Sequence, residues 1–317
     1  MQNSSMKDIA ILIALIIVVI LSWITGTNKG ITGQPTIPGV SLEVTSSNTS
    51  FYGRTSASNA SNDIEEAVVI RTQTEIDAVE YALQSIELFS EKSPYEGMVT
   101  IDKRSLGPRN TTPEQEYIRF IASRQNSQKI PISGWRIESV ITGRSLAIPE
   151  ASYLPRSGVV NNKLPVWLEP GDTVILSTGR SPIGVSFRTN LCTGYFTQFQ
   201  TFNPRLEERC PDAENEILFY TGDRSVLVDN ACMDFVERIG RCDITIKVPI
   251  LLSSLCHDAI GLEINYNSCV DHHKDSASFV GNDWRLFLKR EEELWRSKRE
   301  LLKLVDQNGK VVDVYSY

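Results

Sequence analysis

Leu164-Pro165-Val166-Trp167-Leu168-Glu169-Pro170-Gly171-Asp172-Thr173-Val174-Ile175-Leu176-Ser177 carries two short β-rich runs, residues 164–168 and 172–177, on either side of a Pro-Gly pair. Proline presets φ at the second turn position and glycine supplies positive φ at the third, so Glu169-Pro170-Gly171-Asp172 is predicted as a type II turn. The two runs are then expected to pair as a hairpin. Upstream, residues 98–102, 116–122 and 130–139 form further runs separated by turn residues, with no helical period between Gly97 and Phe187. Short strands at that spacing predict a β-sandwich.

The C-terminus carries a second hairpin signal around Asn308-Gly309. A two-residue turn there sets Leu304 against Asp313 and Lys303 against Val314, mixing polar with apolar on each face. A three-residue loop, Gln307-Asn308-Gly309 with Gly309 left-handed, sets Leu304 against Val312, Leu302 against Val314 and Lys303 against Asp313. The second register keeps one face apolar and is the one expected.

Glu116-Tyr117-Ile118, Ile132-Ser133-Gly134-Trp135, Leu168-Glu169-Pro170-Gly171-Asp172 and the closing Leu304-Val305-Asp306-Gln307-Asn308-Gly309-Lys310-Val311-Val312-Asp313 stand in an order that resembles the lamin tail domain family. The resemblance covers residues 116–187 and 299–317. It implies an immunoglobulin-like β-sandwich with Trp135 as a core anchor on an inner strand. It also implies tethering or binding, the role of similar domains in bacterial surface proteins, and none of the family's matched positions is catalytic. The chain departs from the family in the residues that intervene before the last hairpin.

That intervening stretch holds all six cysteines, Cys192, Cys210, Cys232, Cys242, Cys256 and Cys269. An even count at such density reads as three disulfides in an oxidising space, with the pairing left open by the spacing. Zinc is the alternative, since Cys256-His257 and Cys269-x-x-His272-His273 place thiols beside imidazoles, although no C-x-x-C pair occurs. Asp271-His272-His273 reads as a solvated polar turn. Asn282 or Asp283 is expected to cap a helix reaching about Lys298, on which Phe287/Leu288 and Leu294/Trp295 repeat seven residues apart.

Residues 9–26 contain no charge, and as a helix they span about 27 Å, the thickness of a bilayer's hydrocarbon core. An uncleaved transmembrane anchor is expected; a cleaved signal peptide is the rival, but the apolar core is long for one and no A-x-A site follows. Residues 27–62 are rich in Gly, Ser, Thr, Asn and Pro and read as a solvated linker. Ile76, Val79, Leu83 and Ile86 then fall on one helical face, with Thr74 as cap, and are expected to pack on their own domain; a short dimer seam is the alternative.

Across 317 residues, 32 basic side chains oppose 39 acidic ones, for a net charge of −7, which argues against a nucleic-acid-coating protein. No G-x-S-x-G elbow, P-loop, H-E-x-x-H or dinucleotide fingerprint is present. The fold expected is mainly β: an immunoglobulin-like sandwich with a cysteine-rich helical or irregular insertion, preceded by one transmembrane helix. The domains run 1–26 anchor, 27–62 linker, 63–92 helical segment and 93–317 sandwich, interrupted at 188–298. The function expected is a membrane-anchored, extracytoplasmic, non-enzymatic binding or scaffolding module of the cell envelope. The alternative is a membrane-tethered metal-dependent hydrolase with its site around His257, Cys256 and His272. Expected partners are the membrane, through residues 9–26, an envelope protein or polysaccharide, and a second copy of the chain. No nucleic acid and no cofactor is expected.

Overall fold

The computed structural model describes residues 57–317, with side chains from residue 67 on. The anchor expected at 9–26 and most of the linker lie outside the described residues. Among the described residues, no helix is long and apolar enough to cross a membrane.

A long helix, α1 (Ala57–Phe89), opens the described chain. It begins well before Thr74, so that residue is not a cap; its Oγ1 donates to the Ile70 carbonyl inside the helix. Val79, Leu83 and Ile86 are half-buried on the face expected, while Ile76 remains exposed. The helix is tied to its domain by Glu75, whose carboxylate accepts from Arg299 Nη1 at 2.6 Å and from Arg296 Nη2 at 3.3 Å.

Eleven strands follow: β1 (Val99–Ile101), β2 (Tyr117–Ala122), β3 (Ile130–Pro131), β4 (Arg136–Ser139), β5 (Ser145–Ala147), β6 (Trp167–Leu168), β7 (Thr173–Ser177), β8 (Phe187–Asn190), β9 (Val280–Phe287), β10 (Leu301–Val305) and β11 (Val311–Ser316). They form a five-stranded sheet in the order β1-β2-β7-β9-β8, a four-stranded sheet in the order β11-β10-β4-β5 and a small β3-β6 pair. All pairings are antiparallel except β7 with β9. The two larger sheets share one core, in which Ile118, Phe120, Val174, Leu176 and Trp284 of the first meet Ile137, Leu302 and Leu304 of the second. Trp135 lies in that core at 0% exposure, immediately before β4, and its indole Nε1 donates to Gln307 Oε1 of the last turn at 2.8 Å.

Between β8 and β9 the chain builds a lobe of short helices, α2 (Ala213–Ile217), α3 (Asn230–Val236), α4 (Ser254–Glu263) and α5 (Tyr266–His273). It has a second core around the cysteines, into which the sheet sends Phe187 and Phe287.

Five sequence expectations change. The Glu169 to Asp172 turn forms, with Gly171 at φ +89° and the Asp172 N–H donating to the Glu169 carbonyl at 3.0 Å. Yet its two runs do not pair: β6 joins β3, whereas β7 inserts between β2 and β9. The turn fixes the local chain direction but does not choose which strand edge each arm meets.

The final loop likewise closes as expected, with Gly309 at φ +79° and Asp306 donating to the Lys310 carbonyl at 2.9 Å. A bulge beside Val305 then slips the register, so Leu304 opposes Asp313 and Lys303 opposes Val314. Leu301, Leu302, Leu304 and Val305 are all buried, so β10 has no polar face to fix the register. Asp313 turns instead to the first sheet, where its Oδ2 accepts from the Ile101 N–H at 2.8 Å.

The helix expected from Asn282 is strand β9 followed by irregular chain. Trp284 and Leu286 point into the sheet core, while Phe287 enters the lobe's core, so the strand is covered on both faces and loses its alternating pattern. The insertion is accordingly narrower than 188–298, because both β8 and β9 belong to the five-stranded sheet. Finally, the run at 130–139 breaks into β3 and β4 around Gly134, whose φ is +85°.

Removing a fully buried indole leaves a large cavity. Trp135→Ala is expected to cost about 3–5 kcal/mol in urea unfolding, whereas Trp167→Ala, at a position 44% exposed, should change stability by less than about 1 kcal/mol.

Candidate functional site

The six cysteines form three bridges, Cys192–Cys269, Cys210–Cys242 and Cys232–Cys256, with Cα separations of 5.9, 5.2 and 5.7 Å. These separations suit disulfide geometry without backbone movement. The first bridge closes the root of the lobe beside β8. No thiol is free, so no cysteine serves as a metal ligand, and the constellation Cys256, His257 and His272 is not assembled. Cys256 is bridged, and His257 Nε2 lies 3.0 Å from the Pro249 carbonyl oxygen.

Where the five-stranded sheet meets the lobe, a cleft of about 330 Å³ is lined by Arg119, Arg124, Arg209 and Arg285, with Glu207 and Asp283 among them. In a chain of net charge −7, four guanidinium groups against two carboxylates make a local reversal of sign. Arg285 is 5% exposed, and its Nη1 and Nη2 donate to the Pro204 and Arg205 carbonyls. Burial pushes its guanidinium below the ordinary arginine value, with Asp283 opposing; it stays a cation in the physiological range.

Among the described residues, three buried side-chain polar atoms have no hydrogen-bond partner, and two of them are the Nε groups of Arg119 and Arg285 in this cleft. A buried donor without a partner costs about 1–3 kcal/mol. An anionic oxygen brought against the guanidinium groups of this cleft would make charge-assisted hydrogen bonds. No local sequence signal marks the cleft, because its arginines come from residues 119 to 285 and converge only through sheet pairing.

A second cluster lies in the lobe. His272 and His273 close α5, and both rings meet Glu216 of α2, which is 0% exposed. His272 Nδ1 lies 3.1 Å from Glu216 Oε2, and His273 Nε2 lies 2.6 Å from Glu216 Oε1. The far side of the His272 ring, Nε2, is 3.0 Å from Glu263 Oε2 of α4. The Asp271-His272-His273 triplet is therefore the end of a helix with both imidazoles largely covered, not a solvated turn. Glu216 and Glu263 carry no sequence mark that sets them apart from other acidic residues.

A wider cleft, about 490 Å³, lies beside the lobe and is lined by Tyr195, Phe196, Phe199, Tyr266, Arg156 and Asn161 among others. The Tyr266 hydroxyl donates to the Pro155 carbonyl at 2.7 Å, and its ring lies 4.2 Å from that of Phe196. Burial pushes the phenols of Tyr195, Tyr266 and the C-terminal Tyr317 above their ordinary value.

No protein-family model, curated protein or solved structure matches this chain.

The raised phenols set a pH dependence. A group whose folded-state value lies above its unfolded value stabilises the fold fully below the unfolded value, and that contribution is lost as pH climbs through the folded one. Stability is therefore expected to fall above about pH 10, where tyrosine in an unfolded chain ionises. Ultraviolet titration should show Tyr195, Tyr266 and Tyr317 lagging behind the exposed members of the ten tyrosines and ionising only as the circular dichroism signal collapses. Uniform ionisation of all ten in the folded chain would contradict the burial account.

Proposed function

We propose that this protein is a membrane-anchored, extracytoplasmic, non-enzymatic module that binds an acidic component of the cell envelope in the arginine cleft between its sheet and its lobe. The observation that carries the reading is the gathering of four arginines around one cavity, two of them with buried Nε groups that have no partner. Three disulfides support the location, because such bridges persist in oxidising spaces. The uncharged run at 9–26 supports the anchor. Two sheets around one core, with Trp135 inside it, support the immunoglobulin-like sandwich that the resemblance to the lamin tail domain implies. Carboxylate, sulfate and phosphate groups on a polysaccharide or protein share the chemistry the cleft accepts.

The anchor and the cleft are tested on the full chain. Ile16→Arg with Val18→Arg places two charges in the apolar run, each costing about 2.5–3.5 kcal/mol at a bilayer centre. The wild-type chain should sediment with membranes and the double variant should not; an unchanged distribution contradicts the anchor. In detergent, wild-type protein should bind dextran sulfate with an affinity that falls as salt rises. Arg124→Gln with Arg209→Gln should weaken that binding by at least about tenfold. Equal affinity in the variant would sink the cleft as the binding site.

A further inference from the structure

With both imidazoles neutral, the Glu216, His272 and His273 cluster has more acceptors than protons to satisfy them. A neutral imidazole carries one N–H, and a carboxylate only accepts. His272 presents both ring nitrogens to carboxylates, Nδ1 to Glu216 and Nε2 to Glu263. In a neutral ring one of those contacts sets a nitrogen lone pair against a carboxylate oxygen, and a cation at that nitrogen, either a second ring proton or a metal ion, relieves it. Glu216 is fully buried, and among the described residues neither it nor Glu263 forms an ion pair with arginine or lysine; their charged partners are these two histidines. A buried carboxylate requires a compensating cation.

We propose that this cluster binds one zinc ion, held by a Glu216 carboxylate oxygen, His272 Nδ1 and His273 Nε2. The three ligand atoms lie within 4.8 Å of one another. A tetrahedral zinc site with metal bonds near 2.0–2.2 Å sets its ligand atoms about 3.4 Å apart. The present contacts of 3.1 and 2.6 Å to the two Glu216 oxygens open, and the spread of up to 4.8 Å among the ligand atoms closes, by movements of about 1.5 Å or less to reach that spacing. Adjacent residues on a helix point in different directions. These two histidines converge because one approaches through its short-arm nitrogen and the other through its long-arm nitrogen.

The surroundings resolve the proton conflict in the same arrangement. With Nδ1 on the metal, His272 keeps its proton on Nε2 and donates it to Glu263, the carboxylate–histidine–metal relay that orients ligating histidines. Glu263 is itself held by the Ser268 hydroxyl, which donates to Oε2 at 3.1 Å. Phe219 stacks on the His272 ring at 4.1 Å and 14°, fixing its plane. Two imidazoles and one carboxylate suit zinc, and three protein ligands leave its fourth position for water. Such an ion joins α2 directly to α5, and through Glu263 to α4, as a staple additional to the three bridges.

The test uses the full, oxidised chain in detergent, stripped with chelator and titrated with zinc chloride by calorimetry and thermal unfolding. Saturable binding of about one ion per chain with a rise in Tm is expected. His272→Ala and His273→Ala should each abolish it, and His257→Ala should not. Glu263→Gln should weaken affinity by about 10- to 100-fold, the usual effect of losing an outer-shell partner. Should a histidine variant fail to fold, cobalt loaded into the wild-type chain provides the independent readout, with the intense visible absorption of a tetrahedral site as the supporting result. Absence of saturable zinc binding in the wild-type chain, or binding retained in both folded histidine variants, would overturn the proposal.

Discussion

Asp172, Arg188 and Trp284 form a buried knot on which the arrangement of sheet and lobe depends. Asp172 Oδ1 accepts from Arg188 Nη2 at 3.1 Å, and Oδ2 accepts from Trp284 Nε1 at 3.3 Å and from the Glu169 backbone at 2.9 Å. Arg188 Nε also donates to the Gly281 carbonyl at 2.9 Å, and its guanidinium lies 5.3 Å from the Trp284 ring centroid. The knot thereby joins the Pro-Gly turn, β8 and β9, three segments far apart in sequence. Burial pushes the Asp172 carboxyl above its ordinary value, against its hydrogen bonds and the arginine. Desolvation thus takes back much of what the ion pair contributes, and the knot acts chiefly by restricting geometry. Losing Arg188 would leave Asp172 buried without a cation, at a cost of about 3–5 kcal/mol.

Once β8 and β9 are neighbours, the chain between them must leave the sheet and return to it. The return is secured by the Cys192–Cys269 bridge, which ties the chain just after β8 to α5, the last helix before β9. Of the remaining two bridges, Cys232–Cys256 joins α3 to α4 and Cys210–Cys242 joins two irregular segments of the lobe. This construction creates two polar environments of opposite sign. The seam between sheet and lobe gathers arginines from β2, β9 and the lobe itself, while the contact of α2, α4 and α5 gathers carboxylates around two imidazoles.

Turn chemistry was legible in the sequence because it is local. Gly171 and Gly309 hold the positive φ that their turns require, and β1, β2 and β7 lie where the short β-rich runs placed them. What the arms of each turn meet is not local. The Glu169 to Asp172 turn sends its strands to different sheets, and the Val305 bulge slips the last hairpin by one residue. Strand β9 hid behind a false helical repeat because both its faces are covered. The cysteine count announced a bridged lobe without naming the partners. The charged sites were least visible: Arg119 meets Arg285, and Glu216 meets His272, only after the sheet and the lobe have closed.

The account rests most directly on the lobe being closed by these three bridges. Peptide mapping of the full chain, alkylated at harvest and digested without reduction, measures this in one step. The structure requires linked peptides joining Cys192 to Cys269, Cys210 to Cys242 and Cys232 to Cys256, with no alkylated cysteine. Alkylated thiols at any of the six positions, or a different set of linked peptides, would contradict it.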